Sequence, residues 1–142
     1  MPVEVNPDKI IWAYLGAVEA LTDIVGILPI RIYGGAVPEG ADYPSISYSS
    51  RGGPPPNPYI TGIQKVSYQF DCWAETALGA SALQIALFNA LQGVQNEDVV
   101  VDGTTYKILG ARAETPPQEL MTEDIPTIYR VLTFFEIMLK CE

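Results

Sequence analysis

Few residues in this sequence could carry out chemistry, and histidine is absent from it altogether. Without histidine, Ser-His-Asp and Cys-His catalysis and histidine-ligated metals are excluded. Asp71 and Glu75 form a carboxylate pair that could exchange protons with a substrate, although any acidic domain offers such pairs. Glu97, Asp98 and Asp102 cluster in sequence, but they lack calcium-loop spacing and are better explained as a solvated turn. The sequence therefore predicts no enzyme, no cofactor and no metal.

Two further patterns imitate known sites without meeting their requirements. Gly35–Gly40 has the glycine spacing of a phosphate loop, but Ala41 and Asp42 stand where Lys and Ser or Thr are needed. Cys72 and Cys141 have neither metal-ligand nor redox-pair spacing. We expect Cys72 to be a small buried hydrophobe. Neither pattern predicts a phosphate, metal or redox site.

Length and charge narrow the functional classes. The chain has 142 residues, which predicts a single domain over residues 1–142 that buries roughly 68–70% of its unfolded surface. Eight basic and seventeen acidic residues give a net charge of −9, the wrong sign for gripping a phosphate backbone. Neither a signal peptide nor an apolar run of the ~18 residues that span a membrane is visible, so we expect a soluble protein without a membrane partner.

The longest regular pattern runs from Gly62 to Gly93 and predicts a strand followed directly by a helix. Apolar and polar residues alternate from Ile63 to Ala74, as in a half-buried strand. Thr76 or Ser81 can start the helix, and Gly93 can end it. Because its local chemistry is bland, we interpret this unit as the scaffold.

The remaining elements complete an α+β fold. The order predicts a mostly antiparallel sheet with two main helices packed on it. Spacing and turn signals place these elements at a helix from Asn6 to Gly26, strands at Arg31–Tyr33 and Ser45–Ser49, a hairpin at Asp98–Leu109 with its turn at Asp102-Gly103, a long loop at Ala113–Pro126 and a strand at Thr127–Lys140. The last strand is apolar on both faces, so it is either central to the sheet or half-covered by a partner subunit.

A proline-rich segment, Arg51–Thr61, separates two predicted strands and is expected to form a long hairpin loop. Its four prolines forbid a ladder strand and favour extended polyproline geometry. Pro55 and Pro58 satisfy a PxxP pattern, which is common by chance. The segment is either an ordered surface loop or a stiff contact arm carrying Tyr59 and Ile60.

The central run Phe70–Ala77, with the Ala/Leu helix that ends at Ala90–Gly93, resembles the tail-completion proteins of long-tailed bacteriophages. These are also called tail terminators or tail-to-head joining proteins. Three earlier stretches are similar as well: Ala20–Gly26, Arg31–Tyr33, and the Val37-Pro38 turn followed by Tyr43–Ile46. The resemblance covers roughly Asp8 to Leu139 and carries over no catalytic residue. The proline-rich segment is longer than expected for the family.

This resemblance implies a homo-oligomeric ring, usually of six subunits, on the head-proximal end of the tail tube. Such a ring stops tube polymerisation, presents a surface to neck and connector proteins, and lets DNA pass through its lumen without specific binding. Localisation would be the virion, after assembly in the host cytoplasm. The expected contact residues are Arg51, Tyr59 and Ile60 in one loop, and Glu119, Glu123 and Asp124 in another. The alternatives are a head-side connector or stopper of the neck, and a monomeric α+β protein-binding adaptor that uses the proline arm.

Overall fold

Three helices and a seven-stranded sheet make up the described part of the chain, which in this computed structural model comprises residues 7–26, 30–35, 42–52, 63–114, 116–121 and 128–141. The helices are α1 (Pro7–Gly16), α2 (Glu19–Val25) and α3 (Ala77–Leu91). The strands are β1 (Ile32–Gly34), β2 (Ser45–Gly52), β3 (Ile63–Ala74), β4 (Gln95–Val101), β5 (Thr104–Ala113), β6 (Gln118–Met121) and β7 (Tyr129–Cys141).

The strands lie in the order β1-β2-β3-β7-β5-β4, and β7 is central. It pairs with β3 along one edge, and with β5 and then β6 along the other. The α+β class is confirmed, but the sheet is mixed rather than mostly antiparallel, because β1 pairs parallel with β2. A three-residue edge strand carries too short a pattern for sequence to reveal its direction.

The alternation predicted for β3 separates the two faces of the sheet. Tyr68, Phe70 and Cys72 are fully buried on the face that carries the helices, which we call the core face. The opposite side, the outer face, carries Lys65, Ser67, Gln69, Asp71 and Trp73. Because β3 and β7 pair in register from Ile63↔Lys140 to Ala74↔Tyr129, the same division continues into β7.

Helix α3 lies across the centre of the core face. It begins at Thr76, whose side chain accepts a hydrogen bond from the Gly79 amide at 3.0 Å, so the first of the two predicted caps is the one used. Leu83, Leu87 and Leu91 are fully buried against the sheet. Helix and strand thus form the layered unit that the sequence predicts.

The first helical stretch is two helices, which corrects the prediction of two main helices in all. After Gly16, the amides of Ala17 and Val18 bond to carbonyls three residues back, and α2 then starts from an extended Val18. Glycine disfavours helix interiors by roughly 1 kcal/mol, so a break here costs little. The predicted cap at Asn6 lies outside the described residues.

Helix α1 contacts β1 and β4, the two ends of the strand order, so the sheet curls around it. Tyr68 donates a hydrogen bond to the Asp8 carboxylate at 2.6 Å, and Tyr48 donates to the Asp8 carbonyl at 3.0 Å. At the two edges, Trp12 donates to the Ile32 carbonyl and Lys9 pairs with Asp102. These bonds fix α1 between the ends of the sheet.

Two loop predictions have different outcomes. The hairpin is confirmed: Asp102 and Gly103 join β4 to β5 with φ of 51° and 80°, as in a two-residue hairpin turn. The long loop predicted at Ala113–Pro126 is wrong in part, because β6 forms within it and pairs with β7. The flanks of the proline-rich segment, β2 and β3, pair antiparallel as predicted, while residues 53–62 lie outside the described part.

Candidate assembly surfaces

Arg51 is the predicted contact residue whose side chain the structure describes. Its guanidinium lies over the Phe134 ring at 4.1 Å and 4.0 Å from the Glu114 carboxylate, which also accepts a hydrogen bond from Ser67. These contacts join three strands of the outer face to the turn after β5. Arg51 is therefore held at the base of the proline-rich segment, with its side chain 46% exposed.

The other predicted contact residues are less fully described. Tyr59, Ile60, Glu123 and Asp124 lie outside the described residues. Glu119 is in β6, where its backbone pairs with Val131. Arg51 and Glu119 thus stand on two strands separated by β3 and β7.

Asp71 is buried on the outer face, at 9% exposure. Gln69 donates a hydrogen bond to its Oδ2 at 3.3 Å, and Arg130 Nε lies 3.9 Å from Oδ1. Burial raises the pKa of the Asp71 carboxyl, and these neighbours offset the rise only in part. Glu75, the other half of the considered pair, is exposed beyond the end of β3. The described contacts of Asp71 are those of a carboxylate held in the sheet.

A salt-bridge cluster neutralises the neighbouring part of the outer face. Glu136 of β7 lies 3.1 Å from Lys65 and 3.3 Å from Arg112. The Glu136 carboxyl therefore has a lowered pKa, because the two cations outweigh the effect of desolvation. Between these charges, Leu132, Phe134 and Met138 are half-buried. The outer face is thus a compensated polar surface with apolar residues between its ion pairs.

The solvent side of α3 carries exposed apolar residues that the sequence analysis did not predict. Leu78, Ile85 and Phe88 are 86%, 55% and 38% exposed, and their spacing places them along one side of the helix. We call these three residues the α3 ridge. An amphipathic surface helix would carry charges here, but α3 has none. The signal in the sequence was that α3 has no charged residue and carries apolar residues on more than one side, which is typical of a helix covered on more than one side.

A cleft of about 320 Å³ adjoins the ridge, and we call it the proline cleft. Its walls are Phe88, Phe135, Pro116 and Pro117. The other residues that line it are Gln84, Ala113, Glu114 and Thr133. Gln84 is 7% exposed and Thr133 is 2% exposed. The Thr133 hydroxyl is buried without a hydrogen-bond partner in the described part of the chain. Such a group costs free energy until a partner reaches it.

A second apolar groove, of about 470 Å³, lies between α1 and β4. Trp12 and Val100 line it, and Val100 is 63% exposed. Asp8, Lys9 and Asp102 also line this groove, whereas the charged residue that lines the cleft next to the ridge is Glu114. The two apolar surfaces therefore differ in their electrostatic setting.

Two classes of site are absent from the described residues. No group of three or more His, Cys, Asp or Glu residues there is placed to hold a metal ion. Within the same residues, no helix has the length and apolarity needed to span a membrane. Cys72 is fully buried, and burial raises the pKa of its thiol.

Comparison with known proteins gives two matches. A family model described as "Tail completion protein gp17" matches residues 9–108, more than half of the chain. Among solved structures, a chain from "Virion of native gene transfer agent (GTA) particle" shares the fold with a TM-score of 0.58 and 16% identity, over 92% of each chain. Comparison with curated proteins gives no match.

Proposed function

This chain belongs to the Tail completion protein gp17 family, and we propose that it acts as a ring that closes the head-proximal end of a phage tail tube. The family match over residues 9–108 carries this proposal, and it supports a structural role in the tail of a virion. The exposed apolar ridge on α3 is additional support, because a protein that works alone rarely leaves such a surface uncovered.

In the proposed ring, each copy contributes one domain of 142 residues, and six copies surround a lumen. A heterologous contact between successive copies closes such a ring when the rotation per copy divides a full turn. One rim of the ring sits on the tube protein, and the other presents a surface to the neck. A net charge of −9 per copy disfavours binding of the DNA that passes through.

The proposed contact residues fall at two places in the chain. Phe134 and Glu114 hold Arg51 at the base of the proline-rich segment, and Tyr59 and Ile60 follow later in that segment of the sequence. The second group begins at Glu119, and Glu123 and Asp124 follow it in the sequence. We propose that the first group contacts a neighbour or the next ring, and that the second forms another contact loop.

The experiment is native mass spectrometry of the purified chain, alone and with purified tube protein. We expect a closed oligomer, or a chain that oligomerises only on tube ends. Tyr59→Ala should keep the wild-type circular dichroism spectrum and weaken assembly, whereas Tyr59→Phe should assemble normally. A chain that stays monomeric at all concentrations and leaves tubes uncapped would contradict the proposal and favour the adaptor. Binding to head-side proteins alone would favour the connector.

A further inference from the structure

Negative charge is distributed unevenly along this chain. All seventeen acidic residues lie outside two stretches, residues 43–70 and residues 76–96. The first contains the proline-rich segment with its flanking strands, and its charged residues are Arg51 and Lys65. The second contains all of α3 and no charge of either sign. The exposed Leu78, Ile85 and Phe88 lie in the second stretch.

This distribution matters for contacts between copies, because two chains that each carry −9 repel one another. They can approach closely where neither presents acid. A head-to-tail contact also needs two different patches on each copy. The two acid-free stretches supply two different patches on each copy, and Glu114 is the acidic residue that lines the proline cleft beside the second.

We propose that residues 53–62 of one copy pack along the α3 ridge and into the proline cleft of the next copy. This inference rests on the proposed ring and names the surface that receives the proline-rich segment. The occupant is a second copy of this chain. The distribution of charge and the hydrogen-bonding groups of the cleft are the two reasons for this assignment.

The hydrogen-bonding chemistry of the cleft matches a proline-rich segment. Proline has a backbone carbonyl but no N–H, so such a segment has more acceptors than donors. The cleft supplies donors: the unpartnered Thr133 hydroxyl and the buried Gln84 carboxamide. Bonds from these groups to proline carbonyls would satisfy the Thr133 hydroxyl, which is buried without a partner in the described residues.

The apolar chemistry matches as well. Proline rings dock against aromatic walls, and the cleft offers Phe88 and Phe135 together with Pro116 and Pro117. Beyond the cleft, the ridge offers Ile85 and Leu78 to Tyr59 and Ile60 of the incoming segment. A segment restricted by four prolines loses little conformational entropy when it docks.

The test compares charge substitutions at exposed apolar positions, read by native mass spectrometry and sedimentation. Leu78→Asp and Ile85→Asp should raise the concentration for half-assembly roughly 10- to 100-fold while leaving the fold intact, because both side chains are exposed. Ile85→Lys should also weaken assembly, because residues 53–62 contain no acidic residue that could pair with the new charge. Val100→Asp is the matched control, since Val100 is exposed but lies between Asp98 and Asp102, and it should assemble like wild type.

A crosslink identifies the occupant. In a Cys141→Ser background, Tyr59→Cys combined with Ile85→Cys should give disulfide-linked dimers and higher ladders under oxidation, and either cysteine alone should give far fewer. An intrachain disulfide as the main product would overturn the proposal. Normal ring formation by the Leu78→Asp and Ile85→Asp variants would also overturn it. Neither result would contradict the proposed ring itself. If the wild-type chain forms no ring alone or on tubes, the ring and this inference fall together.

Discussion

Asp71 shows how burial and pairing compete at a single residue of the outer face. Its carboxyl pKa is raised, so the native state holds a proton more tightly than the unfolded chain does. Stability from this group is present below the unfolded pKa and is lost as the pH rises through the folded pKa. At neutral pH the charged form of Asp71 therefore lowers the free energy of unfolding, although the contacts with Gln69 and Arg130 reduce this cost.

Replacing this carboxylate tests the sign of that balance. Asp71→Asn should increase the free energy of unfolding at pH 7, and its advantage over wild type should shrink as the pH falls towards 4. Urea unfolding at both pH values measures this difference. Loss of stability at pH 7 would mean that the contact with Arg130 outweighs the cost of burial. Glu75→Gln, at an exposed position nearby, should change little.

Tyr68 carries a second residue-level prediction. Its hydroxyl lies in a fully buried side chain and donates to the Asp8 carboxylate at 2.6 Å, which fastens α1 to the sheet. Tyr68→Phe should lower the free energy of unfolding by about 1.5–3 kcal/mol, because it removes one hydrogen bond to a charged group. Tyr106→Phe is the control and should be near neutral. Equal stabilities of Tyr68→Phe and wild type in urea would contradict the role given to this bond.

At the scale of elements, sequence predicted best where a pattern is long and locally satisfied. The bounds of β3 and the Asp102-Gly103 hairpin follow from alternation and turn chemistry alone. The break between α1 and α2 was missed because the apolar stripe continues past Gly16. The parallel β1 and the short β6 were missed because tertiary pairing, rather than local pattern, makes them strands.

The start of α3 offers a test at this scale, since two caps were plausible. Thr76→Ala should lower the free energy of unfolding by about 1 kcal/mol, because it removes the acceptor for the Gly79 amide. Ser81→Ala, inside the helix, should be neutral or slightly stabilising. Urea titrations of the two variants show which residue caps α3. A larger loss in Ser81→Ala would place the functional start of α3 one turn later.

The candidate surfaces could be predicted only in part, and the reason lies in α3. Helical spacing in the sequence predicts an apolar stripe on α3, made of Leu83, Ala86, Leu87, Ala90 and Leu91. The three leucines are fully buried, and the two alanines are half-buried. The sequence did not separate Leu78 and Ile85 from that core, because an apolar residue looks the same whether the fold or a partner covers it. Only the packed structure shows which apolar side of this uncharged helix is left exposed.

For the whole molecule, charge is the dominant property, and it leads to a prediction about DNA. A chain with a net charge of −9 should show no retention of duplex DNA in a gel shift at moderate salt, in either the monomeric or the assembled form. Clear retention that weakens as salt rises would show a basic surface formed by assembly. That result would contradict a lumen through which DNA passes without binding.

Electron microscopy of tube ends tests the proposed ring most directly. Purified tube protein is polymerised with and without this chain, and the ends and lengths of the tubes are compared. We expect a cap-shaped density on one end of each tube and tubes that stop growing once it has bound, with Val100→Asp behaving like wild type. Tubes of unchanged length with bare ends, in the presence of excess folded chain, would contradict the account.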